Sequence, residues 1–491
     1  MLELLKKEAN KTYTENGAVT YASTMSDCLD LFATIGALRN ASEEDITGRF
    51  IKAYAENPDI ATKILFYARD IRGGLGERRA FKTILEYLAK NEAETVRKNI
   101  ANVAEYGRFD DLLVLMGTPC EDMLVEYLKV QLDKDMQALS NKGEVSLLAK
   151  WLPSVNASNK QTVMTAKRLA KKMGYTDAAY RKALSVLRAH IKIIENNLRE
   201  KDYSFDYEKQ TSKALYKYRQ AFYRNDQERY KAFLDKASRD PSVMHTATLT
   251  PYDVVTPIIN KMCYSNEGFT EDERKSMDVT WNALENYAGS ENALAVVDGS
   301  GSMYWGCNPL PAAVAESLGI YFAEHNTGAF RGHFITFSNR PQLVEVKGRD
   351  IVEKMKYCMS FNECSNTDIA ATFSLILRTA VENKLKQEDM PGRIYIISDM
   401  EFDCCADNST LTNMENAKKK FERFGYKLPE LVFWNVNSRN RQQPVTMNEQ
   451  GVILVSGCTP QIFSMIENNS LDPYTYMMKV ISSERYERIV A

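Results

Sequence analysis

From about Thr24 onward, apolar residues recur at spacings of three and four, the period of an amphipathic helix. The stretches SDCLDLFATIGALR, SEEDITGRFIKAYAEN, DIATKILFYARDIR, RRAFKTILEYLAKN, AETVRKNIANVAEYG, FDDLLVLMG and EDMLVEYLKVQLDKDMQAL each predict a helix. Ser42 followed by Glu43, Glu44 and Asp45 suits a helix N-terminus, with acids in the first turn. Gly107 closes one helix, and Asp110 or Asp111 opens the next. Short helices in a row cannot bury their apolar faces singly. They are therefore expected to stack as an α-helical repeat, a HEAT-like solenoid or ring, although no strict period is visible. Residues 1–20 are polar and predict a loose arm.

The pattern changes near residue 285. Short β-branched runs now alternate with helical stretches: ALAVVD, GHFITFS, PQLVEV, RIYIISD, LVFWNV and VILVSG read as strands. PLPAAVAESLGIYFAEHN, DIVEKMKYCMS, IAATFSLILRTAVENK and LTNMENAKKKFERFG read as helices. This alternation predicts a doubly wound α/β domain on a parallel sheet. The expected division is a helical domain over 1–285 and an α/β domain over 286–491. Residues 241–290, with Pro241 and Pro251, form the junction.

The first strand of the second half ends in Asp298 and opens into Gly299, Ser300, Gly301 and Ser302. In open α/β sheets, ligands sit beyond the carboxyl ends of strands. One carboxylate and two hydroxyls suit a hard cation such as Mg²⁺, which takes oxygen ligands and retains waters. The D-x-S-x-S spacing resembles the metal-ion-dependent adhesion site of von Willebrand factor A domains. That family adds a Thr from a later loop and an Asp at a later strand end, matched here by Thr367 and Asp399. The resemblance implies a divalent-cation site of Asp298, Ser300, Ser302, Thr367 and Asp399, filled by Mg²⁺, Mn²⁺ or Ca²⁺. It also implies a vacant coordination position able to take a carboxylate from a protein partner; the alternative is a site that only stabilises its loop. The chain departs from the family after Asp399. Many such domains place Gly there, whereas this one has Met400 and Glu401, and Asp403 adds a further acid.

Composition narrows the class. The 491 residues suffice for two or more domains, and no apolar run approaches the roughly 18 residues of a membrane span. The opening MLELLKKEANKTY lacks a signal-peptide core, so a cytoplasmic location and no membrane partner are expected. Nine cysteines are scattered without a C-x-x-C, which favours reduced thiols over a disulfide framework or a zinc site. The four histidines show no ligand spacing. Net charge is −2, yet Lys160 to Asp240 holds 20 Lys and Arg against 10 Asp and Glu. That asymmetry points to an anionic partner for one region.

Two segments invite a nucleic-acid reading. Lys167, Arg168, Lys171, Lys172, Arg181, Lys182, Arg188 and Lys192 stand in a stretch interleaved with tyrosines, a pattern that suits phosphate pairing and base stacking on single-stranded RNA. A solvated basic face over core tyrosines explains the same pattern. RGGLGERRAF places Arg72, Arg78 and Arg79 beside three glycines. A phosphate-binding loop is one reading. With neither a preceding strand nor G-K-[ST], a helix-to-helix turn is favoured.

The segments YRKALSVLRAHIKIIENNL, DYSFDYEKQTSKALYKYRQAFYRNDQERYKAFLDKA, ILFYARDIRGGLGERRAF and EYGRFDDLL resemble the helical module of the TROVE family of Ro-type proteins, or a less characterised TROVE-related family. The resemblance spans roughly residues 25–480. It implies a ring of helical repeats closed by a von Willebrand A domain, binding non-coding or single-stranded RNA as a non-catalytic ribonucleoprotein scaffold. Two rivals stand beside it. One is a protein-binding scaffold without RNA. The other is a metal-dependent hydrolase with Asp298 as nucleophile or Glu401 as base, although no His or Lys sits in those loops.

Overall fold

The computed structural model describes residues 1–265, 268–305, 307–363, 367–404, 411–466 and 472–491. A helix-rich N-terminal region is followed by a mixed sheet flanked by helices. The periodic stretches form helices over Asp27–Thr34, Glu43–Glu56, Pro58–Arg69, Arg79–Asn91, Ala93–Tyr106 and Glu121–Ser140. Their starts are capped as the sequence implies: Ser42 accepts from the Asp45 amide, and Asn57 from the Ile60 amide ahead of Pro58. FDDLLVLMG instead forms a 3₁₀ turn, Phe109–Leu115. Asp111 anchors that turn, accepting from Arg69 Nε at 2.7 Å and the Arg108 amide at 3.1 Å.

The basic stretch gives helices Lys160–Lys172 and Asp177–Ile191, then a break. Lys192 adopts a left-handed conformation (φ 52°), and the chain resumes as Ile194–Glu200. Ile191, Ile193 and Ile194 crowd this point, and β-branched residues propagate a helix poorly. The junction also holds more helix than its prolines suggested. Pro251–Tyr264 runs through Pro257, with Thr250 and Asp253 forming its capping box.

The N-terminal arm is not loose. It forms a helix, Leu2–Ala9, and a hairpin of β1 (Lys11–Tyr13) and β2 (Val19–Tyr21). Tyr21 and Gln443 exchange backbone hydrogen bonds of 3.1 and 2.7 Å, and Ala18 is buried. The arm is ordered by a partner more than 400 residues away, which local polarity does not reveal.

The large sheet contains β3 (Ala293–Asp298), β4 (His333–Phe337), β5 (Leu343–Glu345), β6 (Arg393–Ser398), β7 (Glu430–Asn435) and β8 (Val452–Ser456). Its order is β5-β4-β3-β6-β7-β8. All pairs are parallel except β4–β5, so the parallel sheet carries one antiparallel edge strand. Residues of β3 alternate between two cores. Ala295 and Val297 face helix Pro311–His325 and join the apolar core of the helical region; Leu294 and Val296 face helices Ile369–Glu382 and Asn413–Arg423. One face of the sheet therefore shares a continuous core with the N-terminal helices.

Close backbone approach sets that junction. The Gly36 amide donates to Ser456 Oγ at 3.0 Å, and a Cβ on Gly36 would lie 2.5 Å from the Ser456 carbonyl oxygen. The glycines of RGGLGERR serve a similar purpose: a Cβ on Gly74 would lie 2.1 Å from the Tyr67 carbonyl oxygen. The loop receives the end of the chain. Tyr486 donates to Asp70 and to the Gly73 carbonyl, both at 3.0 Å, and Arg485 pairs with Asp70. The turn reading of this motif matches the geometry. No disulfide joins the seven described cysteines; Cys364 and Cys405 lie outside the described residues. Among the described residues, no helix is long and apolar enough to cross a membrane.

A Cβ at Gly36 has only backbone to displace, so Gly36→Ala should lower unfolding free energy by about 1–3 kcal/mol. Gly289→Ala, whose Cβ meets only the end of Glu291, should change it by less than about 0.5 kcal/mol. Chemical denaturation of the two variants beside wild type measures both.

Candidate metal centre and basic cleft

The sheet brings distant acids together because β3 and β6 are neighbours in register, Val297 opposite Ile397. Chain order reverses between these two strands, and such a switch point opens a crevice at the carboxyl ends. Asp298 ends β3, and Asp399 directly follows β6. Both are buried, as are Ser300 and Thr367.

Four of the five predicted ligands are linked by hydrogen bonds. Asp298 Oδ1 accepts from the Ser300 amide at 2.9 Å, Ser300 and Ser302 hydroxyls lie 3.1 Å apart, and Ser302 donates to Asp399 Oδ2 at 2.8 Å. Thr367 stands one residue further out. Its hydroxyl donates to the Glu401 carbonyl at 2.8 Å, and the Glu401 amide donates to Asp399 Oδ1 at 3.3 Å.

Electrostatics at this point are unbalanced. Burial, reinforced by the charge of Asp399, pushes the Asp298 carboxyl up to about 7, although Ser398 Oγ donates to its Oδ2 at 2.6 Å. Beneath it, burial likewise pushes Glu316 up to about 7. Glu316 Oε1 accepts from Asn362, while Oε2 is buried without a hydrogen bond. The nearest compensating charge is Arg439, whose Nη2 lies 3.0 Å from Asp399 Oδ2. Its guanidinium stands where a cation would relieve the two carboxylates. Two carboxylates and three hydroxyls are hard donors of the kind Mg²⁺, Mn²⁺ and Ca²⁺ take, so the residues present fit a divalent cation. Among the described residues, no group of three or more His, Cys, Asp or Glu side chains is arranged to hold a metal, so hydroxyl donors are essential to any cation here.

Several residues at this centre carry no recognisable motif. Met400 follows Asp399 with φ 68°, a left-handed conformation that glycine adopts at least cost. Glu401 does not turn toward the cluster. Its carboxylate accepts from the Glu15 amide at 2.9 Å, Asn440 at 2.9 Å and Gln442 at 2.7 Å. Arg439, Asn440, Glu15 and Asn16 come from segments with nothing but ordinary polar residues to mark them. Only a Gly-free, polar run over residues 437–443 hinted at a long ordered loop.

The basic candidates divide into two groups. Lys167 pairs with Asp177 at 3.5 Å, Arg168 Nε with Glu121 at 2.6 Å, and Lys172 with Asp122 at 2.8 Å. Arg188 donates to the carbonyls of Ala149 and Leu152 and to Ser154 Oγ, each at 2.7 Å. Arg78 pairs with Asp110 and Asp111, and Arg79 donates to the carbonyls of Arg39 and Ala41. These six have structural partners. Arg72, Lys171, Arg181, Lys182 and Lys192 are exposed, and among the described residues no acid pairs with them. Arg181, Arg188 and Lys192 line a cleft of about 1320 Å³ together with Arg199 and Lys209; Glu200, Asp202 and Asp206 also line it. The tyrosines are mostly structural: Tyr180, Tyr207, Tyr216 and Tyr230 are buried.

Comparison with known proteins gives families without an assigned activity. The profile described as "Domain of unknown function (DUF2828)" matches residues 14–130 and 121–287, and "Domain of unknown function (DUF7788)" matches 292–484. A protein of Acanthamoeba polyphaga mimivirus, described as "Uncharacterized protein L728", is 29% identical over 511 residues, covering 96% of this chain and 87% of that protein. The crystal structure of Deinococcus radiodurans RO (RSR) protein is similar at a TM-score of 0.48 and 14% identity, covering 94% of this chain and 100% of that one.

The buried acids predict a pH response. Glu316 binds its proton more tightly folded than unfolded, so its contribution to stability is complete below about pH 4.5 and is lost as pH rises through about 7. In the presence of a chelator, Glu316→Gln should remove about 2.5 kcal/mol of the stability lost between pH 5 and pH 8. Paired denaturation curves at the two pH values measure it.

Proposed function

From a chain that belongs to the DUF2828 family and carries a DUF7788 region after it, we infer a non-catalytic RNA-binding scaffold with a divalent-cation site. In this reading the helices form a Ro-like curved array, and single-stranded or small non-coding RNA lies along the cleft beside helix Asp177–Ile191. The observation that carries it is the set of exposed cations Arg181, Lys182 and Lys192, which no described acid pairs with, on and beside a cleft of about 1320 Å³. Phosphate pairing by such groups releases counterions, so affinity depends steeply on salt. The six internally paired cations have partners within the fold, and of these Arg188 also lines the cleft. Mg²⁺ would be held by Ser300 and Ser302, with Asp298, Asp399 and Thr367 direct or through water, and would supply the positive charge that the buried carboxylates require.

A scaffold for proteins alone is the second reading, favoured by the acids Glu200, Asp202 and Asp206 in the same cleft. Charge reversal at Arg181, Lys182 and Lys192 separates the two. It should weaken single-stranded RNA binding at least tenfold at 50 mM salt and flatten the slope of log affinity against log salt by about 2. Arg168→Gln, which alters a cation already held by Glu121, should leave the slope unchanged. Filter binding across a salt series reads both, and no binding at low salt leaves the protein-scaffold reading. For the cation, Asp298→Ala should abolish Mn²⁺ uptake in a calorimetric titration. Neither protein should hydrolyse RNA or an aryl phosphate in Mg²⁺; turnover by wild type that Asp298→Ala lacks would revive the hydrolase reading.

A further inference from the structure

The N-terminal hairpin ends at the candidate metal centre. In the turn between β1 and β2, Thr14 Oγ1 donates to the Phe402 carbonyl at 2.6 Å, and Asn16 Nδ2 to the Glu401 carbonyl at 2.6 Å. Asn16 Nδ2 also lies 3.5 Å from Thr367 Oγ1. The Glu15 amide is fixed on Glu401, so the Glu15 side chain starts from a backbone that is already pinned. Its carboxylate accepts from Asn440 Nδ2 at 3.0 Å and meets Arg439 Nη1 at 3.0 Å. The other terminal nitrogen of that guanidinium, Nη2, rests on Asp399 Oδ2 at 3.0 Å. One cation therefore spans two carboxylates, one in the predicted ligand set and one from residue 15.

The position is informative. The Asp399 side chain is 0% exposed and Arg439 36%, so the guanidinium reaches Asp399 from the solvent side. It uses the oxygen that also accepts from Ser302. A divalent cation on Ser302 and Asp399 would meet the same oxygen, and repulsion between the two positive charges disfavours sharing it at contact distance. The bonds of Thr14, Asn16 and the Glu15 amide hold the turn independently of Arg439, so Glu15 would keep its place if the guanidinium moved.

We propose that Glu15 is the chain's own ligand for the divalent cation, directly or through one bound water, and that Arg439 holds the cation's place in its absence. The metal then clasps the N-terminal hairpin to the sheet. Glu15 fills the coordination position that the family resemblance leaves open to a partner's carboxylate. This rests on the cation reading proposed above.

The test uses the full chain and Mn²⁺ alone: calorimetric titration of wild type, Glu15→Gln and Arg439→Gln, with hydrogen exchange of residues 11–21 followed with and without Mn²⁺. Glu15→Gln keeps the size of the side chain and the Glu401 contact of its amide, so the fold should persist. We expect it to weaken Mn²⁺ binding at least tenfold, and Arg439→Gln to strengthen it several-fold. Mn²⁺ should slow hairpin exchange in wild type and leave it unchanged in Glu15→Gln. Equal Mn²⁺ affinity in wild type and Glu15→Gln overturns the clasp while leaving the cation site standing. Faster hairpin exchange on Mn²⁺ addition also overturns it, since the hairpin would then be displaced. Absence of Mn²⁺ uptake by wild type removes the cation reading and the clasp together.

Discussion

Two carboxylates buried side by side at the ends of neighbouring strands set the terms for this molecule. Burying like charges without a counter-charge is costly enough that a group neutralises or finds a partner. At Asp298, burial and the charge of Asp399 push the carboxyl up to about 7. Asp399 finds its partner in Arg439. The parallel pairing of β3 and β6 enforces the meeting, since neither acid can withdraw without leaving its strand end. The hydroxyls of Ser300 and Ser302 bridge the gap between them.

The same constraint organises the loop over residues 437–443. Arg439 serves the acids, while Asn440 and Gln442 satisfy Glu401. Arg49, from the helical region, donates to Ser438 Oγ and to the Asn440 carbonyl, and Arg441 pairs with Asp45. Gln443 pairs with the hairpin. One loop thus touches the acid cluster, the first hairpin and the first long helix. Beneath it, the core shared by β3 and the N-terminal helices makes the two regions mechanically continuous. Arg439 and Glu15 link Asp399 to the turn of the N-terminal hairpin.

Much of this was readable along the chain. Helices with a strong three-four period and a cap, such as Glu43–Glu56, fall where pattern and cap agree. Strands buried on both faces, such as ALAVVD, announce themselves as short apolar runs. The D-x-S-x-S loop was legible because its donors are contiguous and Gly-spaced, and Asp399 because it ends a strand. What escaped was non-local. The arm's order depends on Gln443 and Glu401. The break at Lys192 needed a left-handed residue that carries no Gly or Asn to signal it. Cation patterning overstated the basic surface, because Arg168, Lys172 and Arg78 spend their charge on Glu121, Asp122, Asp110 and Asp111, acids remote in sequence. Glu401 read as a candidate base, yet three donors from other segments consume its oxygens.

In the proposed site a divalent cation meets oxygen ligands from three separated segments. Anomalous diffraction from crystals grown in Mn²⁺ tests it most directly. A single manganese peak between Ser300, Ser302 and Asp399, with the hydroxyl oxygens about 2.0–2.3 Å away and Arg439 withdrawn from Asp399, is the expected result. A manganese peak elsewhere, or none with Arg439 still on Asp399 at saturating Mn²⁺, would contradict it.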